Sequence, residues 1–164
     1  MAGGWHKILA VVAAAAVLLL SHAASAQDLT ALARLDRARS TLRDAGDGVL
    51  LELGISQPVP YRVFLLDAPP RLVMDFSELD FAGLDTAALG TSRHVVALRS
   101  GGIRRGWSRL VAELTGPMRV SEAEQRTVGA PLVRVRLEPV SQAEFDSRVG
   151  APEAALWAPL PPAM

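Results

Sequence analysis

Apolar and polar residues alternate along much of this chain with the two-residue period of a β-strand. In the stretch 61–66 both alternate sets are largely apolar, which predicts a central strand. In the stretch 132–138 one set is charged, which predicts a half-buried strand. The clearest apolar series are Val49, Leu51, Leu53 and Ile55; Leu72, Met74 and Phe76; Leu110, Ala112 and Leu114; and Val133, Val135 and Leu137. Because this period places each series on one face of a strand, the pattern predicts an all-β fold.

Segments that contain glycine or proline separate the alternating stretches. Asp44–Gly48 has the composition of a tight hairpin turn. Similar segments end the later strands, since proline cannot donate a full ladder of hydrogen bonds. They are residues 57–60, 67–70, 100–102, 115–117 and 129–131. Short strands with turns at this spacing predict a sandwich or a barrel.

Four stretches fall outside the strand pattern. Residues 80–90 predict a short helix or a long loop, and residues 141–149 predict one amphipathic helix. Residues 28–36 fit a strand or a helix, and the pattern leaves both open. Repeated prolines between Gly150 and Met164 predict a flexible tail or a linker.

Two pairs of segments resemble each other, and the offset along the chain is the same in both pairs. The pairs are Val49–Leu53 with Leu110–Leu114, and Pro70–Phe76 with Pro131–Leu137. Chance alternation is one explanation, and duplication of a strand–turn–strand unit is the other. Duplication predicts two similar sheets that face each other, so we expect a two-sheet β-sandwich with an approximate internal two-fold repeat.

The N-terminal segment 1–26 has the organisation of a secretory signal peptide. The uncharged apolar run Ile8–Leu20 follows a weakly basic start, and Ala24 and Ala26 supply the small residues before a predicted cleavage site at Gln27. The alternative is a membrane anchor, but the run is shorter than the roughly 20 residues that a span needs. No cysteine follows the run, which excludes a lipoprotein anchor.

These patterns predict three parts in the chain. Residues 1–26 are expected to be a signal peptide that is removed on export, which leaves no membrane anchor. Residues 27–140 are expected to form the β-sandwich domain. Residues 141–164 are expected to form a short helix or linker and the Pro-rich flexible tail.

The composition excludes several function classes. The 17 Lys and Arg residues balance the 17 Asp and Glu residues, which argues against a nucleic-acid-binding protein. The absence of cysteine excludes disulfides, iron–sulfur clusters, thiol nucleophiles and Cys-type zinc sites. After the leader, His94 is the single histidine, too few for a His-rich zinc site, and no Gly-x-Ser-x-Gly motif is present. We therefore expect no catalytic residues, no metal and no cofactor, and the chain is interpreted as not an enzyme.

Charge is unevenly distributed along the chain. The stretch 67–85 carries five acidic residues against Arg71, whereas the stretch 93–109 carries five arginines and no acidic residue. A guanidinium can hold a carboxylate through two parallel hydrogen bonds, and the nearby glycines allow a sharp turn. The candidate binding residues for a carboxylate-bearing polymer are Arg99, Arg104, Arg105, Trp107 and Arg109. The alternative is a solvated hairpin whose arginines pair with the acidic stretch across the sheet.

The residues 61–76 resemble the first half of the AMIN domain, and the segments 96–102 and 108–114 resemble its second half. The shared pattern is an extended strand, a Pro-Arg-apolar-Val-x-Asp strand, an apolar-Arg-x-Gly turn and an Arg-apolar-Val-x-acid-apolar strand. The resemblance covers roughly residues 32–140. It implies a two-sheet β-sandwich with approximate internal symmetry. AMIN domains are the non-catalytic N-terminal modules of exported N-acetylmuramoyl-L-alanine amidases, and they also occur in outer-membrane secretins.

The resemblance implies a function at the cell wall. The family brings its enzyme to peptidoglycan, often at the division site, so we expect a periplasmic wall-targeting module that binds peptidoglycan or a wall-associated protein. One alternative is a protein-docking sandwich that meets a secretin or division complex through an exposed sheet edge. Another is a fragment of a truncated amidase, because the zinc ligands of the amidase catalytic domain have no counterpart in this sequence. The oligomeric state is left open.

Overall fold

A computed structural model describes residues 32–150 and 156–158 of the chain. The predicted signal peptide and its cleavage site at Gln27 lie outside these residues, as do 151–155 and 159–164 of the predicted tail. The described strands are β1 (Ala33–Ala45), β2 (Gly48–Ile55), β3 (Tyr61–Leu66), β4 (Arg71–Ser77), β5 (Leu79–Asp80), β6 (Val95–Arg104), β7 (Trp107–Leu114), β8 (Met118–Arg126), β9 (Leu132–Pro139) and β10 (Leu156–Ala158). A 3-10 helix (Thr86–Leu89) and α1 (Gln142–Asp146) complete them.

The strands form two five-stranded sheets, which confirms the predicted all-β class. The first sheet has the order β5-β1-β2-β9-β8, and the second has the order β10-β3-β4-β7-β6. Neighbouring strands are antiparallel except for the short parallel pair β1 and β5. Buried side chains from the two sheets form one hydrophobic core, and it contains all four apolar series that the sequence pattern picked out.

The predicted hairpin turn at Asp44–Gly48 joins β1 to β2. Ala45 lies opposite Gly48, and Gly46 has the positive φ of 63° that favours glycine in such a turn. A Cβ at Gly48 would lie 1.9 Å from the carbonyl oxygen of Leu137 on β9. The glycine therefore lets β9 approach β2 closely on its other side.

The segments that match at a constant offset lie on four inner strands, and the two members of each match lie in different sheets. β2 and β7 carry one matching pair, and β4 and β9 carry the other. In the structure β2 pairs with β9, while β4 pairs with β7. The first sheet therefore combines the β1–β2 hairpin of the N-terminal half with strands β8 and β9 of the C-terminal half. The second sheet combines the β6–β7 hairpin of the C-terminal half with strands β3 and β4 of the N-terminal half.

Residues 61–66 form an interior strand with a neighbour on each side, as predicted, although β3 is not the middle strand of its sheet. β4 occupies the centre of the second sheet, and β3 lies between β4 and the three-residue strand β10. Phe64 is nevertheless buried on the face of β3 that points away from the core. The physical reason is the cover that arginine side chains provide on that face, described below.

The helical elements are shorter than the sequence pattern suggested. The predicted helix or loop at 80–90 contains the single-turn 3-10 helix, where the amide of Ala87 donates to the capping Asp85 carboxylate. The predicted helix at 141–149 is limited to α1, which Ser141 caps and Phe145 fixes to the core with a fully buried ring. Ala33–Ala45, part of which the pattern left open, is the long strand β1. Within the predicted tail, Leu156–Ala158 pairs with β3.

Replacement of Gly48 by alanine tests the close approach of β2 and β9. Gly48→Ala is expected to lower the free energy of unfolding by at least about 2 kcal/mol, because the new methyl group would meet a backbone carbonyl that cannot move alone. Gly116→Ala is the matched control, since a Cβ there would meet nothing within 4 Å, and we expect it to change stability by less than about 1 kcal/mol. Urea unfolding followed by circular dichroism measures both, and equal midpoints would contradict this packing.

Candidate functional site

The candidate site is the hairpin formed by β6 and β7. Arg105 and Gly106 make the turn, and Gly106 has a φ of 72°. The register is irregular between Gly102 and Arg104, so Arg104 lies opposite Trp107. Gly101 lies opposite Arg109, which leaves that arginine without a side-chain neighbour at the corresponding position of β6. The five candidate residues are therefore brought together on one hairpin, as the sequence suggested.

Arg109 is held in an ion pair rather than left free for a ligand. Its Nε donates to Oδ1 of Asp75 at 2.6 Å, and its Nη2 donates to Oδ2 at 2.9 Å. Arg62 on β3 donates to Oδ2 from Nε at 2.8 Å and from Nη2 at 2.6 Å. The Asp75 side chain is 0 % exposed. We call Arg62, Asp75 and Arg109 the arginine–aspartate cluster.

The alternative interpretation was that arginines of the hairpin pair with the acidic stretch 67–85. Of the five candidate residues, Arg109 makes such a pair. Asp75 belongs to the acidic stretch, and it lies opposite Arg109 in the register of β4 and β7. Arg62 lies opposite Asp75 in the register of β3 and β4. Sequence reasoning missed Arg62, although its alternation within β3 placed it on the same strand face as Phe64.

The charge state of the cluster follows from its contacts. Burial by itself raises the pKa of the Asp75 carboxyl, but the hydrogen bonds from Arg109 and Arg62 and their positive charges outweigh burial, so the pKa lies below its ordinary value of 3.8. The pKa of Arg109 is raised, chiefly by its hydrogen bonds to Asp75. The carboxylate is therefore charged at neutral pH, and the cluster of two guanidiniums and one carboxylate carries a net positive charge.

Guanidinium groups also cover the aromatic rings on this face of the sheet. Arg62 and Arg109 lie 5.6 and 5.9 Å from the ring centre of Phe64. Arg104 lies 4.7 Å from the Trp107 ring and Arg62 lies 5.8 Å from it. Contacts of this kind contribute about 0.5–1 kcal/mol at exposed sites and more where water is excluded. Trp107 is therefore half-buried beside cations rather than freely exposed.

The remaining arginines of the hairpin lack close carboxylate partners. The Arg99 side chain is 76 % exposed, and its nearest carboxylate oxygen, on Glu113, is 3.8 Å away. Arg104 contacts Trp107 and makes no ion pair with a described residue. Arg105 makes neither an ion pair nor a side-chain hydrogen bond with a described residue. Exposed pairs at such distances contribute little. Three cations thus remain available to an external anion.

The first sheet differs in that outward arginines of β8 and β9 form ion pairs with glutamates, although Arg43 on β1 and Arg126 on β8 make none with a described residue. Arg134 on β9 pairs with Glu52 on β2 at 2.8 Å and lies within 4.0 Å of two glutamates on β8. Arg119 on β8 pairs with Glu138 on β9 at 2.8 Å. Opposite charges on neighbouring strands stabilise the sheet and neutralise its surface. The cationic hairpin of the second sheet is therefore the better anion-binding candidate.

A cleft of about 510 Å³ opens beside the hairpin. Ser100, Gly101 and Gly102 of β6 line one side of it, and Trp107 lies at its end near the turn. Phe81 and its neighbours in the 78–84 segment line the other side. The two β6 glycines have nothing within 4 Å of a Cβ position, so the backbone there is accessible to a ligand.

The side chains near His94 do not form a hydrolase triad. The Ser92 hydroxyl donates to Asp44 at 2.6 Å, and the His94 Nε2 accepts from Arg93 at 3.1 Å.

Burial raises the pKa of the Tyr61 hydroxyl to about 12, so it stays protonated at neutral pH. Within residues 32–150 and 156–158 no three metal-ligating side chains come together. No helix in this part of the chain has the length and apolar character to cross a membrane.

Comparison with protein-family models and with curated proteins gave no match to this chain. The resemblance to the AMIN domain therefore remains an inference from the residues quoted above. What the geometry contributes is the hairpin, its uncompensated arginines and the cleft beside them.

Removal of the carboxylate tests the arginine–aspartate cluster. Asp75→Asn is expected to lower the free energy of unfolding by about 3–5 kcal/mol, because two partly buried guanidiniums lose their counter-charge. Asp47→Asn is the matched control, since Asp47 is exposed in the β1–β2 turn, and we expect a change within about 0.5 kcal/mol. Chemical unfolding measures both. A loss for Asp75→Asn no larger than that of the control would show that the cluster does not support the fold.

The depressed pKa of Asp75 predicts a specific pH dependence. The stabilisation by the carboxylate is complete above its ordinary pKa of 3.8 and is lost as the pH falls through the lower value of the folded protein. Asp75→Asn cannot lose this contribution. The difference in unfolding free energy between the native protein and the variant is therefore expected to be constant from about pH 5 to pH 7 and to shrink below about pH 4. Urea titrations at several pH values measure it, and a constant difference down to about pH 2 would contradict the assignment.

Proposed function

We propose that the chain is an exported, periplasmic cell-wall-targeting module of the AMIN type, which binds peptidoglycan through the β6–β7 hairpin. The observation that carries this proposal is the set of exposed guanidiniums of Arg99, Arg104 and Arg105 along the β6–β7 hairpin. The peptides of peptidoglycan carry carboxylates, and arginine binds carboxylates with paired, charge-assisted hydrogen bonds. The all-β architecture in two sheets is the one that the resemblance implies.

The arginine–aspartate cluster supports this role by fixing the hairpin. Arg62 contacts the Trp107 ring, and Arg104 contacts the same ring nearer the turn. The indole is therefore positioned by Arg62 while it orients Arg104. A binding group that is held in place before the ligand arrives loses less conformational entropy on binding.

We also propose that the fold is a sandwich with an internal two-fold repeat. The order β1-β2-β9-β8 in the first sheet corresponds to β6-β7-β4-β3 in the second when the halves of the chain are exchanged. The segments that match at a constant offset lie on the inner strands of both orders. This correspondence favours duplication over chance alternation.

An amidase fragment remains an alternative proposal, in which the module would target a catalytic half that is not part of this sequence. A second alternative is a protein-docking sandwich for a secretin or division complex. The observation that favours docking is the edge of β6, which is hydrogen-bonded on one side only among the described strands. Such edges bind extended segments of other proteins.

Sedimentation with purified peptidoglycan tests wall binding. The native chain is expected to pellet with the polymer at low salt and to be released by salt, because exposed ion pairs are screened. Arg104→Ala with Arg105→Ala is expected to weaken binding about tenfold, which corresponds to about 1.4 kcal/mol for two exposed charge contacts.

The matched control is Arg43→Ala with Arg126→Ala, two exposed arginines outside the hairpin. We expect this variant to pellet like the native chain. A native chain that stays in the supernatant at low salt would refute peptidoglycan binding. Equal weakening by the two variants would refute the hairpin as the binding surface.

A further inference from the structure

β6 is a ten-residue edge strand that contains two adjacent glycines. Its regular register with β7 runs from Ala97 to Gly102, and the irregularities lie at the two ends of this stretch. Alternate residues of an edge strand direct their N–H and C=O groups away from the sheet. Nothing lies within 4 Å of a Cβ position at Gly101 or Gly102. Among the described strands only β7 pairs with β6, so the outer backbone groups of this stretch have no strand partner.

The other edge strands among the described residues are either very short, as β5 and β10 are, or acidic, as β8 is. β10 pairs with the edge of β3, and β5 pairs with the edge of β1. β8 carries Glu122 and Glu124 among its side chains, and these negative charges oppose the addition of an acidic strand. The pairing of β10 with β3 is itself the addition of a short extended segment to the second sheet.

Two clefts lie along the same side of β6. One, of about 300 Å³, is lined largely by apolar residues, among them Leu42, Ala87 and Val95. The other is the cleft of about 510 Å³ beside Gly101. Leu98 lines the first and Gly102 lines the second, both on the core-facing side of β6, and they are separated by roughly 13 Å at about 3.3 Å per residue. In an added strand, side chains four residues apart point to the same face and match this separation.

The charges near β6 favour an acidic partner on the face away from the core. Arg99 and Arg104 belong to β6, and Arg105 follows directly in the turn. Glu78 and Asp80 line the larger cleft, so acidic side chains of a partner are disfavoured there. Acidic residues of an added strand therefore belong on its outward face, and an apolar residue belongs in the smaller cleft.

A second copy of this chain fits the edge poorly. If two β6 strands paired antiparallel about a two-fold axis between Gly101 and Gly102, Arg99 of each copy would lie opposite Arg104 of the other. Like charges directly opposite each other destabilise a sheet. The arginines thus oppose self-pairing and favour a segment of opposite charge.

We propose that β6 accepts an extended protein segment as an additional strand of the second sheet. The segment carries acidic residues on the face beside Arg99 and Arg104, and it places an apolar side chain in the cleft lined by Leu42, Ala87 and Val95. This inference rests on the protein-docking alternative above and does not depend on binding of the wall polymer.

The test uses the full chain and a fluorescein-labelled peptide of alternating glutamate and valine with blocked ends. Fluorescence anisotropy is expected to show binding, and hydrogen exchange is expected to show new protection of the amides between Ala97 and Gly102. The same peptide with N-methyl groups on its central glutamate and valine, which blocks both of its edges, is expected not to bind.

Charge reversal gives the second arm of the test. Arg99→Glu with Arg104→Glu is expected to shift the preference at least about tenfold towards a peptide of alternating lysine and valine. The matched control, Arg43→Glu with Arg126→Glu, is expected to keep the preference for the acidic peptide. Thermal unfolding of both variants checks that they are folded.

Several outcomes would overturn the proposal. They are no binding of the acidic peptide at millimolar concentration, equal binding of the N-methylated peptide, protection confined to β3 or β8, and a dimer that protects β6 without the peptide. Sedimentation of the same protein with peptidoglycan separates the two proposals. Pelleting without peptide binding refutes this inference alone, and peptide binding without pelleting refutes wall binding alone.

Discussion

A single buried carboxylate organises the outward face of the second sheet. Asp75 lies at the middle of β4, the central strand, and four hydrogen bonds from Arg62 and Arg109 reach it from the two neighbouring strands. A buried charge is costly unless it is paired and fully hydrogen-bonded, so both arginines are constrained to this position. Their planar groups then cover Phe64, which allows an apolar ring to lie on a face that does not belong to the core. The orientation of Trp107, and with it that of Arg104, follows from the same constraint.

The two sheets share an architecture but differ in how their surface charge is balanced. Ion pairs across β2, β9 and β8 neutralise Arg119 and Arg134 on the first sheet. In the second sheet the one fully buried carboxylate is shared between two arginines, and the arginines near the β6–β7 turn have no close partner among the described residues. Two sheets with corresponding strand orders can thus serve different purposes, one chiefly structural and the other suited to anionic ligands.

The strand edges add a second asymmetry. Short segments of the chain occupy the edges of β1 and β3, whereas β6 keeps its backbone accessible over the stretch that contains two glycines. The cationic turn and the accessible edge belong to the same hairpin. A carboxylate-bearing polymer and an acidic protein segment would therefore meet overlapping groups, and competition between them is a natural consequence of this arrangement.

The amino-acid sequence was enough to predict which face of β2, β4, β7 and β9 is buried. The series from Val49 to Ile55 and from Val133 to Leu137 lie in the core as their alternation required, because a two-residue period leaves one choice of face once a core exists. It also located the hairpin turn at Asp44–Gly48, since the chemistry of that turn is local. The five candidate residues lie on one hairpin because the turn between β6 and β7 is also encoded locally.

The tertiary structure alone decided which strands are neighbours and which charges are paired. β2 and β9 lie far apart in sequence, and no local signal specifies that they pair. The same holds for Asp75, whose partners come from β3 and β7, so Arg109 became part of the arginine–aspartate cluster while Arg104 and Arg105 stayed exposed. Alternation predicted that both faces of β3 are apolar, but only the assembled sheet shows that arginine side chains cover Phe64 on the outward face. Alternation encodes a face, but an ion pair depends on the register between strands, which only the assembled sheet sets.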